Sequence, residues 1–563
     1  MKSVSFRPAR LVTSTCAFAL LFAGAAGAEP GVNGDLLMLD DTTTANTNLE
    51  FEVWGNGRVT GVATNPAGTA SPLYAPTAQK AFPRMNCDDN RDENGGFAFI
   101  PPDPIGAAGH SRIIAVVNTM IESRNKAGQL KWRTSLQNFF ADAGATTFTF
   151  DPKIVYDQYE DRFVVTTLER VQGASQAGPD NESRIFLAVS KDGNPKTPTA
   201  ADWYYLSIDA KQTVFGSFDG WADYPGFEVD EEAVYVTANI FTFNPFGFFG
   251  GTRVWIVSKA GFYDGGTPTA GVYDPSGISG FLATTMQPAQ VFGDGGVGGP
   301  GSSIGTYLVA YSGLTFGGPT GDEAIQVITI DDPLGAAGGP FFTGEFVVLG
   351  DLEQVGGACG FAALADAPQA GRVELIEVND RRALDAVWRE GQLYATATID
   401  PDGACSPDPA LAGITTAWWA RMDATAGPGA IFLADGGVIE GEDIAPDTTT
   451  FFPAIAVNRL NEMMVGFSAS AETIYAGAFA AGRGIADGAG TIGPTQTVKL
   501  GEDAYFRTFG GPRNRWGDYS GVALDPSNEK TFWVFNEYAL MRADTPDSSG
   551  GDGRWGTYWG RIK

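Results

Sequence analysis

Short apolar runs, many of them alternating with polar residues, follow one another along the chain, and clusters of Gly, Pro, Asp and Asn separate them. The runs are rich in Val, Ile, Tyr, Phe and Thr. Alternation with a period of two is the pattern of a strand with one buried face, and these residue types favour strands. Almost no stretch repeats with the 3.6-residue period of an amphipathic helix. The pattern predicts an all-β fold.

The apolar runs repeat at fixed offsets. One six-residue pattern occurs at 152–157, 225–230, 453–458 and 520–525. It consists of a small residue or Pro, any residue, an apolar residue, any residue, an apolar residue, and then Asp or Asn. After a polar turn, each is followed by a second apolar run, at 162–168, 234–239, 463–468 and 531–535. The terminal Asp or Asn side chain can close a turn onto its own backbone, so each pair predicts a hairpin.

Three further segments fit this unit less strictly. They are 111–118, then 306–311 with 324–330, and 384–388 with 393–398. Seven units over residues 97–563 give about 65 residues each, which is longer than compact propeller repeats and implies long loops. The sequence therefore predicts a seven-bladed β-propeller with long loops at 97–563, preceded by a segment at 29–96 that carries an acidic loop.

The net charge of the chain excludes some classes of binding partner. The chain has 66 Asp+Glu against 37 Lys+Arg in 563 residues, a formal net charge of −29. Such an acidic surface repels nucleic acid phosphates, so we expect no nucleic acid partner. A single His leaves no room for His-rich zinc sites or for chemistry that needs two imidazoles.

The N-terminus predicts export. Lys2, Arg7 and Arg10 precede an apolar run at 11–24, and the small residues at 26–28 form an A-x-A cleavage motif. This is the layout of a secretory signal peptide covering residues 1–28. The run is too short to span a bilayer, and no later run reaches about 20 apolar residues. We expect an extracellular or periplasmic monomer with no transmembrane segment.

Three cysteines follow the predicted signal peptide. Cys359 and Cys405 lie in loops rich in Gly, Ala and Pro on either side of one strand pair, and Cys87 lies far from both in sequence. In an oxidising compartment, a 359–405 disulfide would leave Cys87 as a free thiol, and the alternative is that Cys87 pairs with one of them.

Several segments resemble a known group of proteins. The runs that carry the likeness are 101–109, 150–157, 223–225, 452–455 and 515–520. They resemble a broad family of mostly uncharacterised secreted bacterial seven-bladed propellers, sialidase-like (BNR-like) in style, over nearly all of 97–563. The chain lacks a Phe/Tyr-Arg-Ile-Pro segment, and Trp203 lies too far from the Asp-box-like residues 190–194. The resemblance thus implies the fold and no particular activity.

A site follows from the geometry of a propeller, in which the inner strand of each blade begins on the face where the second strand ends. Residues at these two points should converge around the central channel. The carboxylates there are Asp151, Glu169, Asp223, Asp518 and Glu537, and the expected ligand-binding residues are Trp221, Tyr224, Asn239, Arg382, Arg515, Trp516 and Tyr519. Paired acids with aromatic platforms suit glycoside chemistry or sugar binding. The structural alternative is that each acid bonds the backbone of the next blade.

Cations near the same face have two interpretations. Arg112, Arg381, Arg382, Arg513 and Arg515 are close to it in the predicted layout, and three converging guanidinium groups would hold a carboxylate-bearing sugar. Alternatively, each arginine offsets neighbouring acids. The single imidazole, His110, is either a general base or an ordinary exposed loop residue.

One acidic run predicts a calcium site. Asp88, Asn90, Asp92 and Asn94 present oxygen atoms at alternate positions before Gly95, which is the spacing of a Ca²⁺-binding loop. The bidentate acid that closes such a loop is missing, since Pro101 occupies its place. The alternative is a solvated acidic turn. No G-x-S-x-G motif, P-loop, dinucleotide fingerprint or CxxC motif is present.

Two functions from different classes therefore stand. The first is a secreted propeller that recognises an extracellular glycan, a cell-surface polymer or a surface protein at the channel mouth. The second is a carbohydrate-active enzyme, a glycoside hydrolase or polysaccharide lyase, that uses paired carboxylates there. Two carboxylates about 5–9 Å apart above an aromatic floor favour the enzyme. Carboxylates bonded to the backbone of neighbouring blades favour the binding protein.

Overall fold

The structure, a computed structural model, describes residues 74–175, 177–275, 285–293, 305–313, 322–352, 364–401 and 413–563. The predicted signal peptide and the residues Cys16, Cys359 and Cys405 lie outside these ranges. Cys87 is buried and unpaired with any described cysteine. None of the helices in the described ranges is long and apolar enough to cross a membrane.

The strands group into blades in chain order, after an N-terminal strand and a short helix. These two elements are β1 (Ala78–Asn86) and α1 (Cys87–Glu93). Blade one contains β2 (Ile105–Ala108), β3 (Arg112–Val117), β4 (Met120–Asn125) and β5 (Leu130–Ser135), followed by helix α2 (Leu136–Phe139) and a 3₁₀ turn at Ala141–Ala143. Blade two contains β6 (Phe150–Asp157), β7 (Arg162–Val171), β8 (Glu182–Ser190) and β9 (Trp203–Asp209). Blade three contains β10 (Gln212–Val214), β11 (Phe218–Val229), β12 (Ala233–Thr242), β13 (Phe249–Ser258), the short helix α3 (Lys259–Phe262) and β14 (Ala270–Tyr273).

The second half continues the same order. Blade four contains β15 (Gln287–Pro288), β17 (Tyr307–Ala310), β18 (Glu323–Asp331) and β19 (Phe341–Gly350), while β16 (Gln290–Phe292) runs parallel to the inner strand of the next blade. A separate hairpin follows, β20 (Ala367–Gln369) and β21 (Arg372–Ile376). Blade five contains β22 (Ala383–Arg389), β23 (Gln392–Ile399), β24 (Thr416–Asp423) and β25 (Phe432–Ile439). Blade six contains β26 (Thr449–Val457), β27 (Met463–Ala471), β28 (Ile474–Arg483) and β29 (Gln496–Lys499), and blade seven contains β30 (Gly521–Leu524), β31 (Phe532–Leu540) and β32 (Arg554–Ile562).

The inner strands form a closed ring. Each of β2, β6, β11, β15, β22, β26 and β30 contacts the next, and β30 returns to β2. The remaining pairings within each blade are antiparallel, so each blade is a meander that runs outward from the axis. Buried apolar side chains fill the space between neighbouring blades. The predicted all-β, seven-bladed propeller is confirmed.

The N-terminal strand completes the seventh blade. Strand β1 pairs antiparallel with β32, with Ala78 opposite Ile562. Beyond this pair, the amide of Thr77 donates to the carbonyl oxygen of Lys563 at 2.8 Å. Since β1 lies inside the segment 29–96, the propeller takes in residues before 97, and its seventh blade draws strands from both ends of the described chain.

The Asp and Asn residues that end the repeated strands close turns as the sequence predicts. Each side-chain Oδ1 accepts a backbone N–H two residues further on, from Tyr159 to Asp157 at 3.0 Å, Glu232 to Asp230 at 2.8 Å, Leu460 to Asn458 at 2.8 Å and Ser527 to Asp525 at 3.0 Å. These turns lie at the end of the channel opposite the starts of the inner strands.

Blades one and four differ from the predicted layout. The segments 111–118 and 306–311 contain the second strands β3 and β17, whereas the inner strands are β2 and β15. Strand β2 is Ile-Gly-Ala-Ala, and a Cβ built on Gly106 would lie 2.3 Å from Cη2 of Trp559. Close packing against this ring requires a residue without a side chain at that point, so β2 has no strong apolar pattern. Strand β15 is only two residues long.

Candidate functional site

Four of the five predicted carboxylates converge where the inner strands begin. This end of the channel is called the mouth below. Its charged and aromatic residues are Asp103, Asp151, Lys153, Asp223, Tyr224, Arg382, Arg515, Asp518, Tyr519 and Glu537, which interact through hydrogen bonds, ring contacts or mutual charge effects.

A recurrent backbone feature sets the directions of the mouth side chains. Asp151, Tyr224 and Phe452 each precede a proline and have φ values of 49°, 52° and 50°. A register shift accompanies each of them, near the start of β6 and β26 and in the middle of β11. A bulge of this kind bends a strand and re-aims its side chains. In blades two and three it places Asp151, Asp223 and Tyr224 around the axis.

Hydrogen bonds of the mouth carboxyls link blades. Oδ2 of Asp151 accepts the backbone N–H of Tyr224 at 3.0 Å, which joins blade two to blade three. Oδ1 of Asp103 accepts the backbone N–H of Asp518 at 2.7 Å, and its Oδ2 accepts Nδ2 of Asn118 at 2.6 Å. The hydroxyl of Tyr224 donates to the carbonyl oxygen of Asp518 at 2.6 Å. Several acids at the mouth therefore hold neighbouring blades together.

Burial and crowding of like charges perturb the mouth acids. Burial, and then the nearby Asp518, raise the pKa of Asp103 to about 8 and that of Asp223 to about 6. Burial, followed by neighbouring acids, also raises the pKa values of Asp151 and Glu537 well above their usual range. For Asp518, burial is outweighed by the cationic Arg515 and Arg382, and its pKa is lowered. At neutral pH, Asp518 is thus the most firmly ionised acid of the mouth.

The arginines near this face already have acidic partners. Arg515 forms an ion pair with Asp518, and NH2 of Arg382 lies 2.6 Å from Oδ1 of Asp380. Likewise, Nε of Arg513 donates to Oε2 of Glu377 at 2.8 Å. The charges of these guanidinium groups are balanced within the protein, which leaves them poorly suited to hold an acidic sugar.

Two other cationic candidates lie elsewhere. Arg381 is buried. Arg112 begins β3 at the opposite end of the channel, where its Nε donates to Oδ1 of Asn194 at 2.7 Å. His110 is near Arg112 in sequence, and its Nε2 lies 3.2 Å from Oδ1 of Asp161 with the imidazole half-exposed. The mouth therefore contains no imidazole.

The predicted aromatic platforms differ in exposure. Trp516 is fully buried, and its indole N–H donates to Oγ of Ser468 at 3.1 Å. Tyr224 and Tyr519 are buried edge to face, with ring centroids 5.6 Å apart. Trp221 alone is partly exposed. Of the four predicted rings, Trp221 is the one with a surface to offer a ligand.

Trp221 belongs to a continuous row of aromatic rings beside the mouth, called the aromatic strip below. In spatial order, the strip consists of Phe509, Phe97, Phe99, Phe148, Phe150, Trp221, Phe241 and Phe249, with successive centroids 4.9–6.3 Å apart. Phe97, Phe148 and Phe509 are 53%, 49% and 43% exposed, and the other five are partly exposed. Of these eight rings, the sequence pattern predicts only Trp221.

The remaining predicted site residues have bonds to the protein. Oε1 of Glu169 accepts the amides of Thr146 and Thr147, both at 2.7 Å, and its Oε2 lies 2.8 Å from NH1 of Arg184. Nδ2 of Asn239 donates to Oγ1 of Thr285 at 2.8 Å. These two side chains fix loops next to the mouth and are not part of the acid cluster.

The predicted calcium ligands lie on and just after helix α1. The side chain of Asn86 caps this helix by accepting the amides of Asp88 and Asp89. Asp88 forms an ion pair with Arg91, and buried Asn90 donates to the carbonyl oxygen of Asn118. Asp92 is exposed, and Asn94 donates to the carbonyl oxygen of Asn90. Among the described residues no His, Cys, Asp or Glu cluster could hold a metal ion, and the calcium site stays a prediction.

Comparisons with known proteins yield structural likenesses alone. No protein-family model matches the chain, and no curated protein is similar to it in sequence. A sialidase from Trypanosoma rangeli is 10% identical with a TM-score of 0.33, and the match covers 81% of this chain and 57% of that protein. A protein of unknown function from Dyadobacter fermentans is 11% identical with a TM-score of 0.35, over 74% and 95% of the two chains. A glycosyl hydrolase from Bacteroides ovatus is 9% identical with a TM-score of 0.28, over 62% and 87%.

Proposed function

We propose that the protein binds an extracellular glycan, a neutral polysaccharide, which lies along the aromatic strip and reaches the mouth. The observation that carries the proposal is the strip itself. Eight rings in continuous contact, three of them about half-exposed, form a long apolar track beside the mouth. The C–H faces of sugar rings stack on aromatic rings, while their hydroxyl groups need hydrogen-bond partners.

The charge state of the mouth supports an uncharged ligand. Arg382, Arg513 and Arg515 are each paired with an acid of the protein, so an acidic sugar would have to displace one of these pairs. Burial and then Asp518 raise the pKa of Asp103 to about 8, so this carboxyl adds little negative charge to the mouth at neutral pH. Neutral polysaccharides fit this arrangement better than uronic or sialic acid polymers do.

Affinity electrophoresis on a panel of soluble neutral and acidic polysaccharides tests the proposal. We expect retardation by at least one neutral polymer and weakening by Trp221→Ala or Phe148→Ala. Losing one stacking contact of about 0.5–1.5 kcal/mol corresponds to a roughly 2- to 10-fold weaker association. Phe432→Ala is the matched control, because Phe432 is 52% exposed in blade five, away from the strip. Equal weakening in the control and strip variants, or retardation by acidic polymers alone, would contradict the proposal.

A carbohydrate-active enzyme is the second candidate, and one observation favours it. Asp223 is partly exposed at the mouth with a pKa raised to about 6, which suits a general acid. However, Asp223 and Asp151 are joined by a side-chain hydrogen bond. Such contact leaves no space for the water that an inverting pair holds across about 6.5–9.5 Å. Release of reducing ends or of unsaturated products by the parent protein, lost in Asp223→Asn or Glu537→Gln, would establish the enzyme instead.

A further inference from the structure

A cavity lies on the propeller axis at the end opposite the mouth, and it is called the axial cavity below. Its volume is about 460 Å³, which falls in the range of small-molecule sites. Strands β2, β6, β11, β15, β22 and β30 contribute to its wall. It extends to His110, Asp161 and Glu529, whose half-exposed or exposed side chains mark the opening.

A layer of buried side chains lies between the axial cavity and the mouth. Tyr224 and Tyr519 pack edge to face in this layer, and neither lines the cavity. Lys153 does line it, and its ammonium group lies 3.2 Å from the centroid of the Tyr519 ring. The cavity thus adjoins the mouth at Lys153, whereas the following inference rests on cavity residues that are not part of the mouth and does not depend on the proposed function.

Two polar groups of the cavity wall lack partners. Nε2 of Gln287 and Oε2 of Glu228 are buried atoms without a hydrogen-bond partner among the described residues, and Gln287 is only 5% exposed. Both residues line the cavity. Buried polar groups are almost always paired with protein or with water, so a hydroxyl group of water or of a ligand can bond to each of these atoms. Glu228 also has a pKa well above its usual range, through burial and the nearby Asp385, and its protonated carboxyl can donate.

Two charged groups of the wall, Asp385 and Arg389, have partners within the protein. The Asp385 carboxylate accepts the backbone N–H of Ile455 and of Ala386, both at 2.9 Å, and acts electrostatically on Lys153. At the opening, NH2 of Arg389 lies 2.8 Å from Oε2 of Glu529. The cavity therefore offers an amide donor and a buried carboxyl beside apolar wall residues.

We infer that the axial cavity is a binding site for a small uncharged polyhydroxyl molecule of monosaccharide size. Its hydroxyl oxygens accept from Nε2 of Gln287 and exchange hydrogen bonds with the carboxyl of Glu228. The carbon faces of the ligand pack on Phe227, Pro288 and Leu384, which also line the cavity.

Calorimetric titration of the full chain with glucose, galactose, mannose, xylose, inositol and glycerol at pH 7 tests this inference. We expect one or more of these polyols to bind. Gln287→Leu should weaken binding at least 10-fold, because a hydroxyl would lose its donor in a buried site. The variant should still fold, since the replaced nitrogen has no partner and Leu has a similar volume. Its thermal transition checks this directly.

The variants Glu228→Gln and Glu228→Leu test whether binding needs a hydrogen-bonding side chain at this position. Gln retains a donor and an acceptor and should leave the affinity within about 3-fold, whereas Leu should weaken it at least 10-fold. Trp221→Ala, which alters the aromatic strip, should leave polyol binding unchanged. Absence of binding by every polyol at 10 mM would mean that the cavity holds only water and would overturn the inference. Equal affinity in Gln287→Leu and the parent would also overturn it.

Discussion

Asp103 makes the stability of the mouth depend on pH. Its carboxyl is fully buried, its pKa is raised to about 8 by burial and then by Asp518, and the ordinary value is 3.8. Between these values the folded protein keeps a proton that the unfolded chain has released. Unfolding thus releases one proton, and the free energy of unfolding falls as pH rises through this window. One proton corresponds to about 1.4 kcal/mol per pH unit, or about 3 kcal/mol from pH 5 to 7.

Asp103→Asn isolates this effect. Asn has nearly the same shape, and it tolerates the left-handed backbone of this position, where φ is 49°. Because Asn does not titrate, the decline of unfolding free energy between pH 5 and 7 should be shallower in the variant by about 1.4 kcal/mol per pH unit. The comparison uses slopes, so a constant cost from a rearranged hydrogen bond with Asn118 does not affect it.

Urea titrations at pH 5, 6 and 7, followed by tryptophan fluorescence, give the required slopes. Asp264→Asn is the matched control, since Asp264 is exposed and removal of its carboxylate should leave the slope of the parent. Parallel curves for Asp103→Asn and the parent would refute the argument, because they would mean that Asp103 gives up its proton at the same pH in both states.

Three further predictions concern the framework. Glu169→Ala leaves Arg184 and two loop amides without their acceptor and should lower the unfolding free energy by about 3 kcal/mol in denaturant titration; an unchanged unfolding free energy would contradict the buried ion pair. Gly106→Ala forces a Cβ against Trp559 and should lower the free energy of unfolding by roughly 1–3 kcal/mol. An unaltered Tm would contradict the close packing of β2 against this ring. Deletion of residues 74–86 removes β1 and exposes the edge of β32, so calorimetry should show a broader, lower transition. A transition identical to that of the parent would exclude a stabilising role of β1 in the seventh blade.

Local signals account for what the sequence predicts well. The strands ending at Asp157, Asp230, Asn458 and Asp525 are recognisable because the apolar pattern and the turn-closing side chain lie within a few residues of each other. Long-range pairing has no such signal. The pairing of β1 with β32 joins residues from opposite ends of the described chain, and nothing in the segment 78–86 indicates its partner.

The same difference between local and long-range signals explains which residues of the candidate site the sequence predicts. Asp151, Asp223 and Asp518 were found because each precedes a recognisable inner strand. Asp103 occupies the equivalent position before β2, but the small residues of β2 concealed that strand and so concealed Asp103. The strip was missed for a different reason: Phe97, Phe148 and Phe509 lie in loops distant in sequence, and only the fold makes their rings neighbours.

The pairing of the first and last strands has a consequence during biosynthesis. A polypeptide emerges from the ribosome N-terminal end first, so strand β1 is among the first propeller segments to appear and its partner β32 among the last. Until then, the edge that β1 will cover does not exist, and an incomplete ring cannot close. Completion of the propeller therefore has to wait until the last strand of each newly made chain has emerged.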